Sequence, residues 1–209
     1  MKTHSLIGVR SSLIILMLLG ILSGSAQNQP TVVKSPPPLT RILFIFDASQ
    51  SMLGRWQSDT KFNIAKRILT EMLDSIANLK NAEFALRVYG HQYQYPPQVC
   101  NDTKLEVPFG PGNASKIKSR LRTITPKGTT PLAFEQVAKD FSPCTNCRNI
   151  VVLITDGLEE CSGDPCAVSK MLQKNGITLK PFIIGIGKDF NMAFNCVGTY
   201  FDATKENDL

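Results

Sequence analysis

Two aspartates and three hydroxyl residues fall at points where an apolar run ends or a helical pattern starts. Asp47 follows the run Arg41-Ile-Leu-Phe-Ile-Phe46, and Asp156 follows Ile154-Thr155 at the end of a second run. Ser49 and Ser51 lie in the string DASQS directly after the first run, and Thr130 lies in KGTTPLA ahead of a helical pattern. In an open parallel sheet, ligands bind beyond the carboxyl ends of strands where the winding reverses, so neighbouring strands with these endings would turn both carboxylates into one crevice. Two anions at the edge of an apolar sheet repel each other unless a cation neutralises them. Carboxylate and hydroxyl oxygens are hard donors, suited to one Mg2+ or Mn2+ ion with water completing the octahedron and one position open. Singly, each residue has a structural explanation: Thr130 caps a helix, Asp156-Gly157 makes a turn, and Ser49 and Ser51 bond local backbone. Their shared placement at element ends is the argument for a site.

The elements that must hold these residues alternate along the chain. After the 41–46 strand, Phe62, Ala65, Ile68, Leu69, Met72, Leu73 and Ile76 recur at helical spacing, with Asp59 or Thr60 as cap. A strand over 82–90 comes next, and a further one over 103–109 is joined to it by a loop holding Pro96, Pro97 and Cys100, which predicts an antiparallel edge. Asn113 or Ser115 caps a helix whose solvated face carries Lys116, Lys118, Arg120 and Arg122. Thr130-Pro131 opens another helix, 149–155 is a buried strand, and Asp164-Pro165 repeats the cap-and-proline start before a helix stopped at Asn175-Gly176. A strand over 178–186, a short helix over 189–195 and an edge strand over 198–204 complete the pattern. Helices alternating with apolar strands predict a three-layer, Rossmann-like α/β fold with a mostly parallel sheet and one antiparallel edge strand.

DASQS at 47–51, Thr130 within KGTTPLA and ITDG at 154–157 together resemble the metal-ion-dependent adhesion site of von Willebrand factor A domains. VYGH at 88–91, CSGDPCAV at 161–168 and YFDA at 200–203 are similar to a bacterial secreted branch of that family. The resemblance spans residues 40–209. It implies that Ser49, Ser51 and Thr130 bind the metal directly while Asp47 and Asp156 act partly through water, and that a partner protein's Asp or Glu carboxylate takes the open position. It also implies a closing helix, of which only Lys205 to Leu209 follow the last strand here: either the chain is a fragment of a longer protein or this element is missing, and control of affinity through that helix stays open.

Outside the domain, Lys2 and Arg10 precede the apolar stretch Ser12–Leu22 and the small residues Gly24-Ser25-Ala26, the pattern of an export signal over 1–26. The stretch falls well short of the ~20 apolar residues that span a bilayer, so no membrane insertion is expected after cleavage. Residues 27–39, QNQPTVVKSPPPL, read as a proline-rich tether. Losing the signal's two basic residues lowers the formal charge from +6 by two, and the basic helix has no interleaved aromatic platform, so no nucleic-acid partner is expected.

All six cysteines lie in the exported part, where disulfides are the default. A zinc centre uniting the pairs Cys144/Cys147 and Cys161/Cys166 is excluded by the strand between them, about 30 Å long at ~3.3 Å per residue. Cys144 is expected to pair with Cys147. The other four allow three pairings, of which Cys100–Cys161 and Cys166–Cys196 would best brace loops around the site.

Two other functions compete. A haloacid-dehalogenase-type phosphatase also uses a strand ending in aspartate and magnesium, but it needs a second acid two residues later, where Ser49 stands. A structural module of an envelope assembly would hold the metal without a partner. No HExxH or GxSxG string occurs, and the one histidine past the signal, His91, reads as a hydrogen-bonded loop residue. A non-enzymatic binding module is the expectation.

Overall fold

Leu43, Ile45, Phe44 and Phe46 alternate along the first strand with no polar residue between them, and each is fully buried. A strand of this kind is stable only with both faces covered. That strand, β1 (Leu39–Asp47), lies at the centre of a six-stranded sheet ordered β5-β4-β1-β6-β7-β8. The computed structural model describes residues 36–129, 134–157, 161, 164–174, 180–186, 196 and 199–203. The sheet belongs to the compact unit Pro37–Leu209. Its other strands are β4 (Ala82–Tyr89), β5 (Thr103–Gly110), β6 (Cys147–Thr155), β7 (Lys180–Ile186) and β8 (Thr199–Ala203). All neighbours pair in parallel except β4 and β5, which form the antiparallel edge.

The alternation of β1 sorts two layers. Ile42, Phe44 and Phe46 face a core built with Phe62, Ile64, Ala65 and Leu69 of α1 (Lys61–Ile76) and Ile117 and Leu121 of α2 (Ala114–Leu121). Leu43 and Ile45 face a second core with Val137 of α3 (Phe134–Asp140) and Val168 and Leu172 of α4 (Pro165–Lys174). The fold is therefore three-layered with a mostly parallel sheet. Each apolar side chain buried in β1 contributes ~1.5–3 kcal/mol, which is what allows carboxylates to be held buried at the strand's end.

Several boundaries follow local chemistry. The Thr60 side chain caps α1 by accepting from the Asn63 amide at 3.2 Å, and Asp164 Oδ1 caps α4 by accepting from the amides of Cys166 and Ala167. Asn113 stands at the cap position of α2 but makes no side-chain cap bond. Its amide instead donates to the carbonyls of Phe84 and Pro108, pinning the edge strands. The starts of α3 and the stop at Asn175-Gly176 lie outside the described residues, as does the 189–195 segment.

One feature goes beyond the sequence pattern. Between β1 and α1, a 3-10 turn over Gln50–Leu53 and a two-residue hairpin, β2 (Arg55–Trp56) with β3 (Asp59–Thr60), fold the chain back on itself. Gln57 takes a positive φ at the hairpin turn. The hairpin returns Lys61, the first residue of α1, to the DASQS loop, and the Lys61 amide donates to the Gly54 carbonyl at 2.9 Å.

Candidate functional site

β1 and β6 are neighbours in register, with Phe46 opposite Ile154, so Asp47 and Thr155-Asp156 leave the sheet side by side. This is also where the winding reverses: from β1 the chain proceeds to β4 on one side, while β6 lies on the other. Asp47 is fully buried. Its Oδ1 accepts from the Ser49 amide at 2.7 Å and its Oδ2 from the Thr155 hydroxyl at 2.7 Å. Thr155 in turn accepts from the Tyr89 hydroxyl at 2.9 Å.

A second chain of bonds crosses the same crevice. Ser51 Oγ donates to Asp156 Oδ1 at 2.6 Å, and the hydroxyls of Ser49 and Ser51 are 3.0 Å apart. Because Ser51 spends its one proton on Asp156, Ser49 is the donor between the two serines. Asp156, also fully buried, receives Lys61 Nζ on its other oxygen at 2.6 Å.

The floor of the crevice is a meeting of three backbones. Ser49 forms a parallel bridge with Gly128, and the Gln50 amide donates to the Gly128 carbonyl at 2.8 Å. Gly90 has φ +70°, and a Cβ there would lie 2.8 Å from the Ser49 backbone and 2.9 Å from the Thr129 carbonyl oxygen. Only glycine allows both the conformation and the approach. Beside it, Thr129 is buried and its hydroxyl has no hydrogen-bond partner among the described residues. Thr129, Ser49 and Ser51 line a cavity of about 490 Å³ whose far side includes Tyr95 and Gln98.

Burial pushes the Asp47 carboxyl above its ordinary range, and the charge of Asp156 adds to this against the opposing bonds from Ser49 and Thr155. Burial and then the charge of Asp47 likewise hold the Tyr89 hydroxyl well above its ordinary value. The environment thus disfavours a second bare negative charge. An orphaned buried hydroxyl oxygen, two serine hydroxyls and two buried carboxylates form an oxygen set that fits a hard cation. Among the described residues no group of three or more His, Cys, Asp or Glu converges as a metal cluster, so any ion here would rely on hydroxyls.

The structure brings together Asp47, Ser49, Ser51 and Asp156. Thr130 lies outside the described residues. Sequence reasoning missed Thr129, Thr155 and Lys61. The doublet Thr129-Thr130 and the ITDG string contain the first two, but no spacing rule connects the start of α1 to the end of β6.

The three expected disulfides are present: Cys144–Cys147, Cys100–Cys161 and Cys166–Cys196. Cys100–Cys161 fastens the loop after β4 to the segment following Asp156. That loop is braced from within by buried Asp102, whose carboxylate accepts from the amides of Gln92 and Tyr93 and from the Gln92 side chain.

Behind the loop lies a second polar cluster. Glu106 bonds His91 Nε2 at 2.8 Å, Arg120 Nε at 2.7 Å and Lys104 Nζ at 3.2 Å. Burial acts to raise the Glu106 carboxyl, but the bonds from Arg120, His91 and Lys104 outweigh it and bring it down to about 2. Arg120, expected on a solvated face, is therefore a partner of the edge strand, while His91 is buried and hydrogen-bonded.

Comparison with known proteins agrees with this geometry. The pattern of the von Willebrand factor type A domain matches residues 42–203. The chain is similar to the protein YwmC of Bacillus subtilis (strain 168), 26% identical over 213 residues, covering 93% of this chain and 92% of YwmC. Among solved structures, it resembles the pilus adhesin SpaC from Lactobacillus rhamnosus GG, with TM-score 0.63 and 14% identity over 84% of this chain and 29% of the adhesin. It also resembles proximal thread matrix protein 1 from the mussel byssus with a zinc-occupied MIDAS motif, with TM-score 0.59 and 18% identity over 83% of this chain and 43% of that one.

Proposed function

Since the chain belongs to the von Willebrand factor type A domain family, we propose that it is a protein-binding module that captures an Asp or Glu carboxylate of a partner through one divalent cation, Mg2+ or Mn2+. The observation that carries this reading is the convergence of Asp47, Ser49, Ser51 and Asp156 at the sheet's switch point, beside the buried Thr129 hydroxyl, which has no partner among the described residues. Asp47, Ser49, Ser51 and Asp156 would hold the ion, with Thr130 as the fifth residue implied by the family motif and Thr129 offering its oxygen to the same cavity.

When bound, the ion supplies positive charge at the mouth of the crevice for an incoming anion. The chain's own residues do the rest. Tyr89 and Thr155 fix Asp47 from below, the Gly90 floor holds the Ser49 loop against Thr129, and Cys100–Cys161 braces the rim. A zinc-occupied motif in the mussel byssus protein and the adhesin role of SpaC are consistent with this reading. No bond-breaking step is assigned: the position an acid would need for phosphatase chemistry is Ser49, whose hydroxyl is engaged with Ser51.

We place the protein outside the cytoplasm, as the export signal over 1–26, the tether over 27–39 and three disulfides all point that way. No described helix is long and apolar enough to cross a membrane.

The test is capture of partners on immobilised protein from the native source in Mg2+, with Asp47→Ala protein and EDTA as controls. Capture lost in both controls supports the mechanism. Capture that persists in EDTA shows that the partner does not use this ion.

A further inference from the structure

Lys61 is an ion-pair partner that neither the metal motif nor the helix it begins explains. A cation in the first turn of a helix opposes the helix dipole, and α1 has no acidic residue in that turn to compensate. Its side chain nevertheless crosses Gly54, where Cε and Nζ lie 3.8 and 3.9 Å from the position of a Cβ, to reach Asp156. The pair is 2.6 Å long, with Asp156 fully buried and Lys61 16% exposed. The β2–β3 hairpin brings the start of α1 to this place, so the backbone delivers the ammonium to the crevice.

We propose that Lys61 is the site's resident cation: it occupies Asp156 in the metal-free domain and competes with the divalent ion for that carboxylate, setting the metal affinity below what the oxygen donors alone would give. The inference rests on the metal-site reading above. Its physical basis is charge. Lys61 places one ammonium directly on Asp156, and an apolar residue at 61 would remove that positive charge from the crevice and free the carboxylate for the ion. At contact distances in a partly buried site, one unit charge changes the affinity for a divalent ion by a large factor.

The experiment is calorimetric titration of Mn2+ into wild-type protein, Lys61→Met and Lys61→Arg, beside thermal melts of each in EDTA. Lys61→Met should bind Mn2+ about tenfold more tightly or better, while Lys61→Arg, which keeps the charge, stays within about threefold of wild type. Without metal, Lys61→Met should melt at a lower temperature, and adding Asp156→Asn to it should recover the loss, because the unpaired carboxylate is then gone. Should Lys61→Met fold poorly, Lys61→Gln, which removes the charge but keeps a polar side chain and leaves Asp156 intact, carries the same titration with the same expected tightening. A wild-type titration that shows binding, with Lys61→Met unchanged or weaker, overturns the role of Lys61 and leaves the metal site standing. Absence of Mn2+ binding in every variant overturns both.

Discussion

The protein holds two buried polar clusters, and they are charged in opposite ways. At the ends of β1 and β6, two carboxylates share a single ammonium, and Asp47 is pushed upward by burial and by Asp156. At the β5 edge, one carboxylate, Glu106, is met by Arg120, Lys104 and His91 and is brought down to about 2. Among the described residues each cluster also keeps one buried polar atom without a partner, the Thr129 hydroxyl in the first and His91 Nδ1 in the second. A cluster with surplus cations is closed and structural, whereas a cluster with surplus anions and a spare oxygen is arranged for a cation from outside. The contrast in charge balance sets the proposed binding site apart from the brace without reference to any relative.

The largest effect that could break this contrast is on metal uptake. Asp47→Ala should weaken Mn2+ binding about a thousandfold, equivalent to ~4 kcal/mol, while Glu106→Gln should leave it within about threefold. Titration calorimetry reads both. If Glu106→Gln lost the metal as Asp47→Ala does, the two clusters would be one functional unit and the distinction would fail.

Next in size is the covalent brace at the rim of the first cluster. Cys100 and Cys161 are 61 residues apart, and removing a crosslink over such a loop costs up to ~4 kcal/mol. The double replacement by serine should lower the urea midpoint strongly and steepen the slope, because the unfolded chain without the crosslink exposes more surface. It should also weaken Mn2+ binding, since the disulfide anchors the segment that follows Asp156. An unchanged midpoint would mean that Asp102 alone holds the loop.

The second cluster makes its own pH prediction. A carboxyl lowered from about 4.5 to about 2 contributes stability that is complete above pH ~4.5 and is lost as pH falls through ~2. Allowing for the solvent around Lys104, which is 55% exposed, the contribution is ~2 kcal/mol. Urea unfolding of wild type and Glu106→Gln between pH 2 and 7 should show a stability gap at neutral pH that closes toward pH 2. A constant gap would mean that Glu106 acts by packing.

Much of this was legible in the sequence because the signals were local. The apolar run at 41–46 required a strand covered on both faces, and the prolines and Cys100 between 90 and 103 marked the antiparallel edge. DASQS and ITDG pointed to four residues that the structure brings together, because each sits at the end of its own element and strand neighbourhood joins them. What stayed hidden was nonlocal. Lys61 reaches Asp156 across 95 positions through a hairpin of two-residue strands, too short to leave a periodic pattern. Asn113 looked like a cap because its type and place suit one, but the carbonyls of Phe84 and Pro108 offered a buried partner instead. Arg120 looked like part of a solvated stripe until the edge strand supplied Glu106.

The smallest and sharpest test concerns the threonine doublet. The family motif assigns the metal-binding hydroxyl to Thr130, while the hydroxyl at the cavity without a partner among the described residues belongs to Thr129. A buried hydroxyl without a partner costs ~1–3 kcal/mol, so Thr129→Val, which keeps the shape and removes the oxygen, should raise metal-free stability by ~1 kcal/mol. Thr130→Val should do the reverse, losing ~1 kcal/mol on the sequence expectation that Thr130 caps the helix opened by Pro131. Both should weaken Mn2+ binding, Thr130→Val by about tenfold or more and Thr129→Val by a few fold, because the motif makes the first a direct donor and the second contributes its oxygen to the same cavity. Melting in EDTA and calorimetric titration, run on the same samples, separate the two signs. If Thr129→Val lowers metal-free stability, its hydroxyl is already bonded in the folded protein, and the spare oxygen that marks this cluster as arranged for a cation does not exist.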